Sequence, residues 1–160
     1  MIVYHGTTLV IEKPDVLHSY HDLDFGKGFY VTTVKKQAER WAYRKAEITS
    51  SSKGIVNIYE MKDIPSDISL KNFPDDLSEW IDFVCACRDG SLIYKEYDII
   101  KGKVADDQVY RVVNLYRTGV WDKNRAIEEM IPYDIYDQIA FISQKAIDAL
   151  ITFQSSYEVK

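Results

Sequence analysis

Cysteine and proline are scarce in this sequence, which has two cysteines and four prolines in 160 residues. Cys85 and Cys87 are separated by a single residue, a spacing that is poorly suited to a disulfide between them. No cluster of histidine and cysteine around this pair has the spacing of a zinc site. We therefore expect two buried thiols and no bound metal.

Long apolar runs are also missing. No run approaches the roughly 20 residues that a membrane-spanning helix needs. The first residues lack the basic and then apolar layout of a secretory signal. These two absences predict a cytoplasmic protein that does not use a membrane.

An excess of positive charge is absent as well, because the net charge at neutral pH is −5. The chain as a whole does not attract a phosphate backbone, although a local basic patch could still bind a nucleic acid. With 46% hydrophobic residues, a chain of this length can build one core. We expect a single domain that spans residues 1–160, with no linker, repeat or low-complexity segment.

Hydrophobic periodicity and turn residues predict alternating short strands and helices. The predicted strands cover residues 2–4, 29–33, 55–61, 97–100, 136–142 and 151–157. The predicted helices include residues 34–48, 77–88, 123–130 and 144–150, and Asp75 or Asp76 caps the second of these. One more helix is predicted to follow a cap at Asp106 or Asp107, with Val109, Val112, Val113 and Tyr116 at helical spacing and Gly119 ending it. Strands at both ends with helices between them predict an α+β domain whose termini join one mixed or antiparallel sheet. A doubly wound Rossmann fold is disfavoured.

Three short segments at strand ends contain residues that could carry chemistry. They are Tyr-His-Gly-Thr at 4–7, Phe-Gly-Lys-Gly-Phe-Tyr at 25–30 and Tyr-Asp-Gln at 136–138. Each has an ordinary structural interpretation when it is taken alone. A histidine after a first strand usually makes a structural hydrogen bond, and a Gly-x-Gly is usually a turn. A glutamine in an apolar run usually faces solvent from an edge strand, and a tyrosine usually belongs to the core.

In their order along the chain, the three segments resemble the ADP-ribosyltransferase superfamily, in particular its diphtheria-toxin and poly(ADP-ribose) polymerase branch. That branch has a His-Tyr-Glu signature on three strands, and His5, Tyr30 and Gln138 match its positions. Trp41 stands where the polymerases have a second stacking tyrosine. The middle of the chain, with Tyr-Asp-Ile-Ile-x-Gly-x-Val-Ala-Asp-Asp at 97–107, resembles an uncharacterised bacterial family related to these transferases.

The resemblance implies a split mixed or antiparallel sheet core with peripheral helices and a cleft for NAD+, which is the co-substrate, and no metal. His5, Tyr30 and Gln138 would be the catalytic positions. The residues implied in NAD+ binding are His5, Gly6, Thr7, Phe25, Gly26, Gly28, Tyr30 and Trp41. In this arrangement the Gly6 backbone holds the nicotinamide carboxamide, and the two glycines of the turn let the backbone pass close to the dinucleotide. Lys27 could reach a phosphate, but a solvated side chain is the ordinary fate of such a lysine.

Gln138 departs from the family pattern, because glutamine accepts a hydrogen bond but brings no negative charge. The neighbouring acids Asp137 and Asp134 are candidates to replace it, although strand alternation turns Asp137 away from Gln138. Three alternatives stay open: a slow mono-ADP-ribosyltransferase, one whose target supplies its own activated nucleophile, and a NAD+-binding module without transfer. On sequence grounds, Gln138→Glu should raise NAD+ cleavage.

We expect a mono-ADP-ribosyltransferase that modifies a macromolecule, in a bacterial toxin–antitoxin or phage-defence setting in which an antitoxin protein would be a partner. The target could be a protein or a nucleic acid. A predicted helix carries a basic group that could meet a nucleic acid, or could simply be its solvated face. This group consists of Lys35, Lys36, Arg40, Arg44 and Lys45. The alternatives are a catalytically silent module for NAD+ or ADP-ribose, and a purely structural domain.

Overall fold

The computed structural model describes residues 1–18, 23–50, 53–105, 107–133 and 136–159. Within these residues it contains seven β-strands and five α-helices. The strands are β1 (Ile2–Thr7), β2 (Phe29–Val31), β3 (Gly54–Met61), β4 (Leu70–Asn72), β5 (Ile99–Lys103), β6 (Asp137–Phe141) and β7 (Ile151–Val159). The helices are α1 (Lys35–Ile48), α2 (Leu77–Arg88), α3 (Asp107–Arg117), α4 (Lys123–Met130) and α5 (Gln144–Leu150).

The strands form two sheets. The first sheet has the order β1-β3-β7 and the second has the order β2-β6-β5-β4. Strands β4 and β5 run parallel to each other, and the other pairs are antiparallel. The α+β class is therefore confirmed, and the first and last strands do share a sheet, on either side of β3. Strands β1 and β2, which belong to different sheets, meet at a single point only.

That point is a bridge between Tyr4 and Thr32, the one isolated bridge among the described residues. The Tyr4 N–H donates to the Thr32 carbonyl at 2.9 Å, and the Thr32 N–H donates to the Tyr4 carbonyl at 2.9 Å. Beyond this bridge the pairing does not continue toward Gly6 and Tyr30. The two sheets consequently separate there and leave a gap between β1 and β2.

The second sheet is apolar on both faces, and alternate residues of its strands enter different cores. Tyr30, Ile100 and Ala140 face a core that is built largely by α2, α3 and α4. Phe29 and Phe141 face the opposite core, which the first sheet and α5 complete. Both faces are covered, so these strands read as continuous apolar runs.

Helix α1 covers the outer face of the first sheet. Ala38 and Ala42 are fully buried there against Val56 of β3. The small side chains of α1 and the glycines Gly6 of β1 and Gly54 of β3 permit a close approach of helix and strand backbones, because no large side chain separates them. This approach brings one edge of α1 beside the gap between the sheets.

Most helix ends follow the local signals of the sequence. The Asp76 side chain caps α2 by accepting from the Ser78 N–H at 2.9 Å. Gly119, two residues after the end of α3, has a φ of +80°, as its predicted role requires. Helix α3 begins at Asp107, and the alternative cap, Asp106, lies outside the described residues. Strand β4 was not predicted because it has only three residues and two of them are exposed.

Both cysteines are buried free thiols, as expected. Burial raises the pKa of the Cys85 thiol to about 11, with the nearby Asp82 and Asp89 adding to the shift. At neutral pH this thiol is therefore protonated and unreactive. None of the helices in the described part of the chain is long and apolar enough to cross a membrane.

Candidate functional site

A cleft of about 300 Å³ opens where the two sheets separate. Five residues that the resemblance implied in catalysis or NAD+ binding line it: His5, Gly6, Tyr30, Trp41 and Gln138. They come from β1, β2, α1 and β6, so the fold gathers residues that lie far apart along the chain. The other lining residues are Leu23, Asp24, Arg44, Lys45, Ile48, Arg88, Val104 and Ala105.

His5 is held across the gap between the sheets. Its Nδ1 lies 2.6 Å from the Tyr30 carbonyl oxygen, and a carbonyl can only accept, so Nδ1 carries the proton. Its ring stacks on Phe29, with centroids 4.4 Å apart and an interplanar angle of 27°. These two contacts set both the tautomer and the plane of the imidazole.

Gly6 presents its backbone to the cleft. In an antiparallel strand the N–H and C=O groups of alternate residues face the same side, and Tyr4 uses its own pair to bond Thr32, the residue directly after β2. Gly6 therefore directs its N–H and C=O into the gap. A side chain is excluded on the other side, because a Cβ here would lie 2.0 Å from the Ala38 carbonyl oxygen of α1.

Tyr30 lies at the base of the cleft with 8% of its surface exposed. Its hydroxyl accepts from the Phe25 N–H at 2.9 Å and donates to the Gly26 carbonyl at 2.6 Å. Burial raises the pKa of this phenol well above its usual range, and the nearby Asp24 raises it further. The hydroxyl is therefore a neutral structural group, and it is the ring that faces the cleft.

Gln138 is buried, with 4% exposure, and its amide orientation is determined by its neighbours. The Nε2 group donates to Asp24 Oδ2 at 3.1 Å and to the Lys103 carbonyl at 3.1 Å. Both partners are acceptors, so the nitrogen must point to them and Oε1 must point away. Among the described residues, no donor bonds this oxygen.

The buried Asp24 forms an ion pair with the half-buried Arg88 beside Gln138. The guanidinium donates from Nε to Asp24 Oδ1 at 3.0 Å and makes a second, shorter contact from Nη2. Burial by itself would lower the pKa of Arg88, but the Asp24 charge and hydrogen bond outweigh it and raise the pKa. The guanidinium also lies over the Tyr110 ring, 4.8 Å from its centroid.

Helix α1 supplies the opposite wall through Trp41, Arg44 and Lys45. Trp41 is half-buried, and the two cations are exposed. Together with Arg88 they bring three positive charges to the cleft, against the single negative charge of Asp24 among the described residues that line it. The cleft is therefore cationic in a chain whose net charge is −5, which favours an anionic ligand.

Four predicted residues do not line the cleft: Thr7, Phe25, Gly26 and Gly28. Phe25 is fully buried and stacks on Phe73 at 5.6 Å between ring centroids. Gly26 has a φ of +80°, and a Cβ there would lie 2.1 Å from the Tyr94 ring. A Cβ on Gly28 would lie 2.5 Å from the Phe141 carbonyl oxygen. The glycine turn thus packs against protein.

Two acidic candidates and one basic candidate also lie elsewhere. Asp137 accepts from the Thr33 hydroxyl at 2.8 Å and faces away from Gln138, as strand alternation predicts. Asp134 lies outside the described residues. Lys27 is exposed and borders a different surface depression.

Sequence reasoning missed Asp24 and Arg88. An acid directly before the aromatic Phe-Gly turn was the only local signal for Asp24. Arg88 reads as a cation that complements the helix dipole in the last turn of α2. Their partnership joins residues 64 apart in the chain, so no spacing pattern reveals it.

The fold and the cleft define an α+β domain with a polar, cationic site at the junction of two sheets. The chain belongs to a family described as protein of unknown function (DUF3990), whose model matches residues 1–153. This match covers every strand and helix from β1 to the start of β7. No curated protein and no solved structure matches the chain.

Proposed function

We propose that the protein is a mono-ADP-ribosyltransferase that binds NAD+ in this cleft and transfers ADP-ribose to a macromolecule. The observation that carries the proposal is the meeting of His5, Tyr30 and Gln138 in one cleft at the split between two sheets. The resemblance to the transferases rests on these same positions and requires them to meet. Gly6 and Trp41 join them there.

The contacts available in the cleft suit the parts of NAD+. The backbone of Gly6 offers one donor and one acceptor to a carboxamide, and the rings of Tyr30 and Trp41 offer flat apolar walls for nicotinamide. His5 would bond a ribose hydroxyl of the adenosine half. Arg44, Lys45 and Arg88 suit the diphosphate, since guanidinium and ammonium groups are the usual partners of phosphate oxygens.

The reaction would break the bond between nicotinamide and the ribose anomeric carbon through a transition state with oxocarbenium character, as in glycoside hydrolysis. Gln138 Oε1 would accept from a ribose hydroxyl at this stage. It would add no negative charge, and the loss of one electrostatic contact costs on the order of 10²–10³ in rate. We therefore propose slow transfer of single ADP-ribose units, since the polymerising members of the resembling branch rely on a glutamate.

A second candidate function is a silent module that binds NAD+ or ADP-ribose without cleaving it. Asp24 is the one acid among the described residues that line the cleft, and Arg88 already pairs with it. The described lining residues therefore offer no unpaired carboxylate to stabilise a developing positive charge. This observation favours the module over a fast transferase.

The deciding experiment uses NAD+ labelled in its adenylate phosphate, incubated with the purified protein and a bacterial lysate. Transfer predicts label in the protein or nucleic-acid fraction, which also identifies the acceptor class. Free ADP-ribose and nicotinamide would indicate hydrolysis. Intact NAD+ together with measurable binding heat would support the silent module, and absence of binding heat would contradict both.

A matched pair of variants ties either outcome to the cleft. His5→Ala removes a lining side chain and should weaken NAD+ binding in calorimetry. Tyr157→Phe removes a hydroxyl that donates to Glu39 at 2.7 Å on the far side of α1 and should leave binding unchanged. An equal effect of the two variants would argue against this cleft as the NAD+ site.

The biological setting we propose follows the resemblance: a bacterial toxin–antitoxin or phage-defence system in the cytoplasm, with an antitoxin protein as a partner. The cationic face of α1 beside the cleft supports a phosphate-bearing acceptor as one of the two target classes.

A further inference from the structure

We propose that Asp24 is the positioning residue of the cleft: it orients the Gln138 carboxamide so that Oε1 faces the ligand, and it makes this position selective for glutamine over glutamate. The role of the ligand in this inference rests on the proposed function. The orientation of the amide does not, and it can be tested without ligand.

Asp24 is buried, with 3% exposure, and its two carboxylate oxygens have separate tasks. Oδ1 accepts from the Arg88 guanidinium. Oδ2 accepts from the Ala105 N–H at 2.8 Å and from Gln138 Nε2 at 3.1 Å. A buried charge needs this degree of pairing to be tolerated. The carboxylate is therefore held rigidly by a helix, a loop and a strand.

The orientation of the Gln138 amide is fixed by this rigidly held carboxylate. One of its two N–H bonds goes to Asp24 and the other to the Lys103 carbonyl. A reversed amide would place Oε1 against two acceptors and leave its buried N–H groups without partners, which is costly in a site of this burial. Asp24 thereby selects the orientation in which the one remaining acceptor, Oε1, serves the cleft.

A glutamate at position 138 would not find the same hydrogen-bond partners. Its carboxylate would contact both Asp24 Oδ2 and the Lys103 carbonyl, which accept and do not donate. Two carboxylates this close do not both ionise readily. The structure thus changes the expectation for Gln138→Glu: the substitution should weaken the site and not increase NAD+ cleavage.

The ligand-free test is NMR of the side-chain amide of Gln138 in protein labelled with ¹⁵N, identified as the signal that Gln138→Glu removes. We expect slow hydrogen exchange of this NH₂ in the unaltered protein and exchange at least about tenfold faster in Asp24→Asn, because one of its acceptors loses its charge. Asp137→Asn is the matched control, since Asp137 bonds Thr32 and Thr33 on the other side of β6. The control should leave the signal unchanged.

The second test is a double-mutant cycle with Asp24→Asn and Gln138→Glu, read by thermal unfolding and by NAD+ affinity. We expect Gln138→Glu to lower the melting temperature in the original background. When residue 24 is Asn, we expect Gln138→Glu to lower the melting temperature by a smaller amount. The contact between two carboxylates is then absent, and the new carboxylate supplies one negative charge beside Arg88. NAD+ affinity should fall about tenfold in the Gln138→Glu variant and recover in part in the double variant.

The outcomes separate this inference from the proposed function. Additive effects in the cycle, or a Gln138 amide whose exchange ignores Asp24→Asn, would overturn the positioning role even if the protein modifies a target. Faster NAD+ cleavage by Gln138→Glu would overturn the selectivity for glutamine. A protein that binds no NAD+ but shows the coupling and the exchange change would contradict the transferase and retain the positioning role of Asp24.

Discussion

The glycines of the two motifs act by letting parts of the protein approach one another. Gly26 lies under the Tyr94 ring, and Gly28 lies against the Phe141 backbone of β6. Gly6 lies against α1 and is the one motif glycine that also lines the cleft. The Gly-x-Gly turn therefore does not line the cleft but positions Tyr30. The Gly26 carbonyl accepts a hydrogen bond from the Tyr30 hydroxyl, and the Tyr30 ring faces the cleft.

Gly6→Ala should destabilise the protein by about 1–3 kcal/mol, because overpacking forces backbone shifts. The added Cβ would lie 2.0 Å from the Ala38 oxygen and 2.7 Å from the Ala42 nitrogen, both backbone atoms of α1. Urea unfolding measures the change. Gly119→Ala is the control, since a Cβ there meets nothing within 4 Å and the strain of its positive φ is the only cost. A smaller loss for Gly6→Ala than for Gly119→Ala would contradict the close packing of β1 on α1.

Tyr30→Phe should separate stability from binding. The variant keeps the ring but leaves the buried Phe25 N–H without its acceptor, at a cost of about 1–3 kcal/mol. Unfolding experiments should show this loss, while NAD+ affinity should change little because stacking is retained. A large loss of affinity without loss of stability would mean that the hydroxyl contacts the ligand.

At the scale of elements, the cleft has two walls of different origin. Helix α1 is amphipathic, and it buries Ala38 and Ala42 against the first sheet while Trp41 turns toward the gap. Helix α2 is buried along most of its length, and only its last residue, Arg88, reaches the cleft. The cleft thus depends on the position of α1 relative to the second sheet.

Trp41→Ala should weaken NAD+ binding about tenfold, which corresponds to about 1.4 kcal/mol, because a flat wall of the cleft is lost. Tyr43→Ala is the control on the same helix, since Tyr43 is 55% exposed and lies outside the cleft. Calorimetry measures both affinities. Equal affinities for the two variants would show that α1 does not form a binding wall.

At the scale of the whole molecule, the second sheet lies between two hydrophobic cores, and hydrogen bonds at its edge connect segments that are distant in the chain. Asp98 makes several of these hydrogen bonds. Its side chain accepts from the Ser69 N–H at 2.9 Å just before β4, and its carbonyl accepts from the Ile142 N–H at 2.8 Å after β6. Hydrogen bonds from Ser143 and then from Ser69 lower the pKa of the Asp98 carboxyl.

This lowered pKa predicts a pH-dependent stability. A carboxyl whose pKa is lower in the folded state stabilises the fold above its unfolded pKa, and the contribution is lost as pH falls through the folded value. Asp98→Asn should therefore lower the melting temperature at pH 7, and the difference from the original protein should shrink as the pH falls below about 4. Asp75→Asn, at a side chain that is 98% exposed, should have little effect at either pH. A difference for Asp98→Asn that persists at low pH would contradict a role for its charge.

The elements of this protein were largely determined by its sequence, because their signals are local. Asp76 and Gly119 mark helix ends through contacts with their own neighbours. Periodicity predicted α4 and α5 at the bounds that the structure has. The same local patterns placed His5, Tyr30 and Gln138 at strand ends, whereas in the structure His5 lies inside β1, which continues to Thr7. They also left open how these residues meet.

Only the tertiary structure decided what surrounds those residues. There are two sheets because β1 pairs with the chain at the end of β2 through a single bridge and no further. Strand β4 forms only because it pairs with β5. The contact between Asp24 and Gln138 joins residues 114 apart in the chain, and burial makes it strong by removing water. Such contacts form between segments whose own sequences are ordinary, so local composition does not encode them. The sequence by itself determined every helix and every strand except β4, and the packing of those elements decided which charge lies beside Gln138.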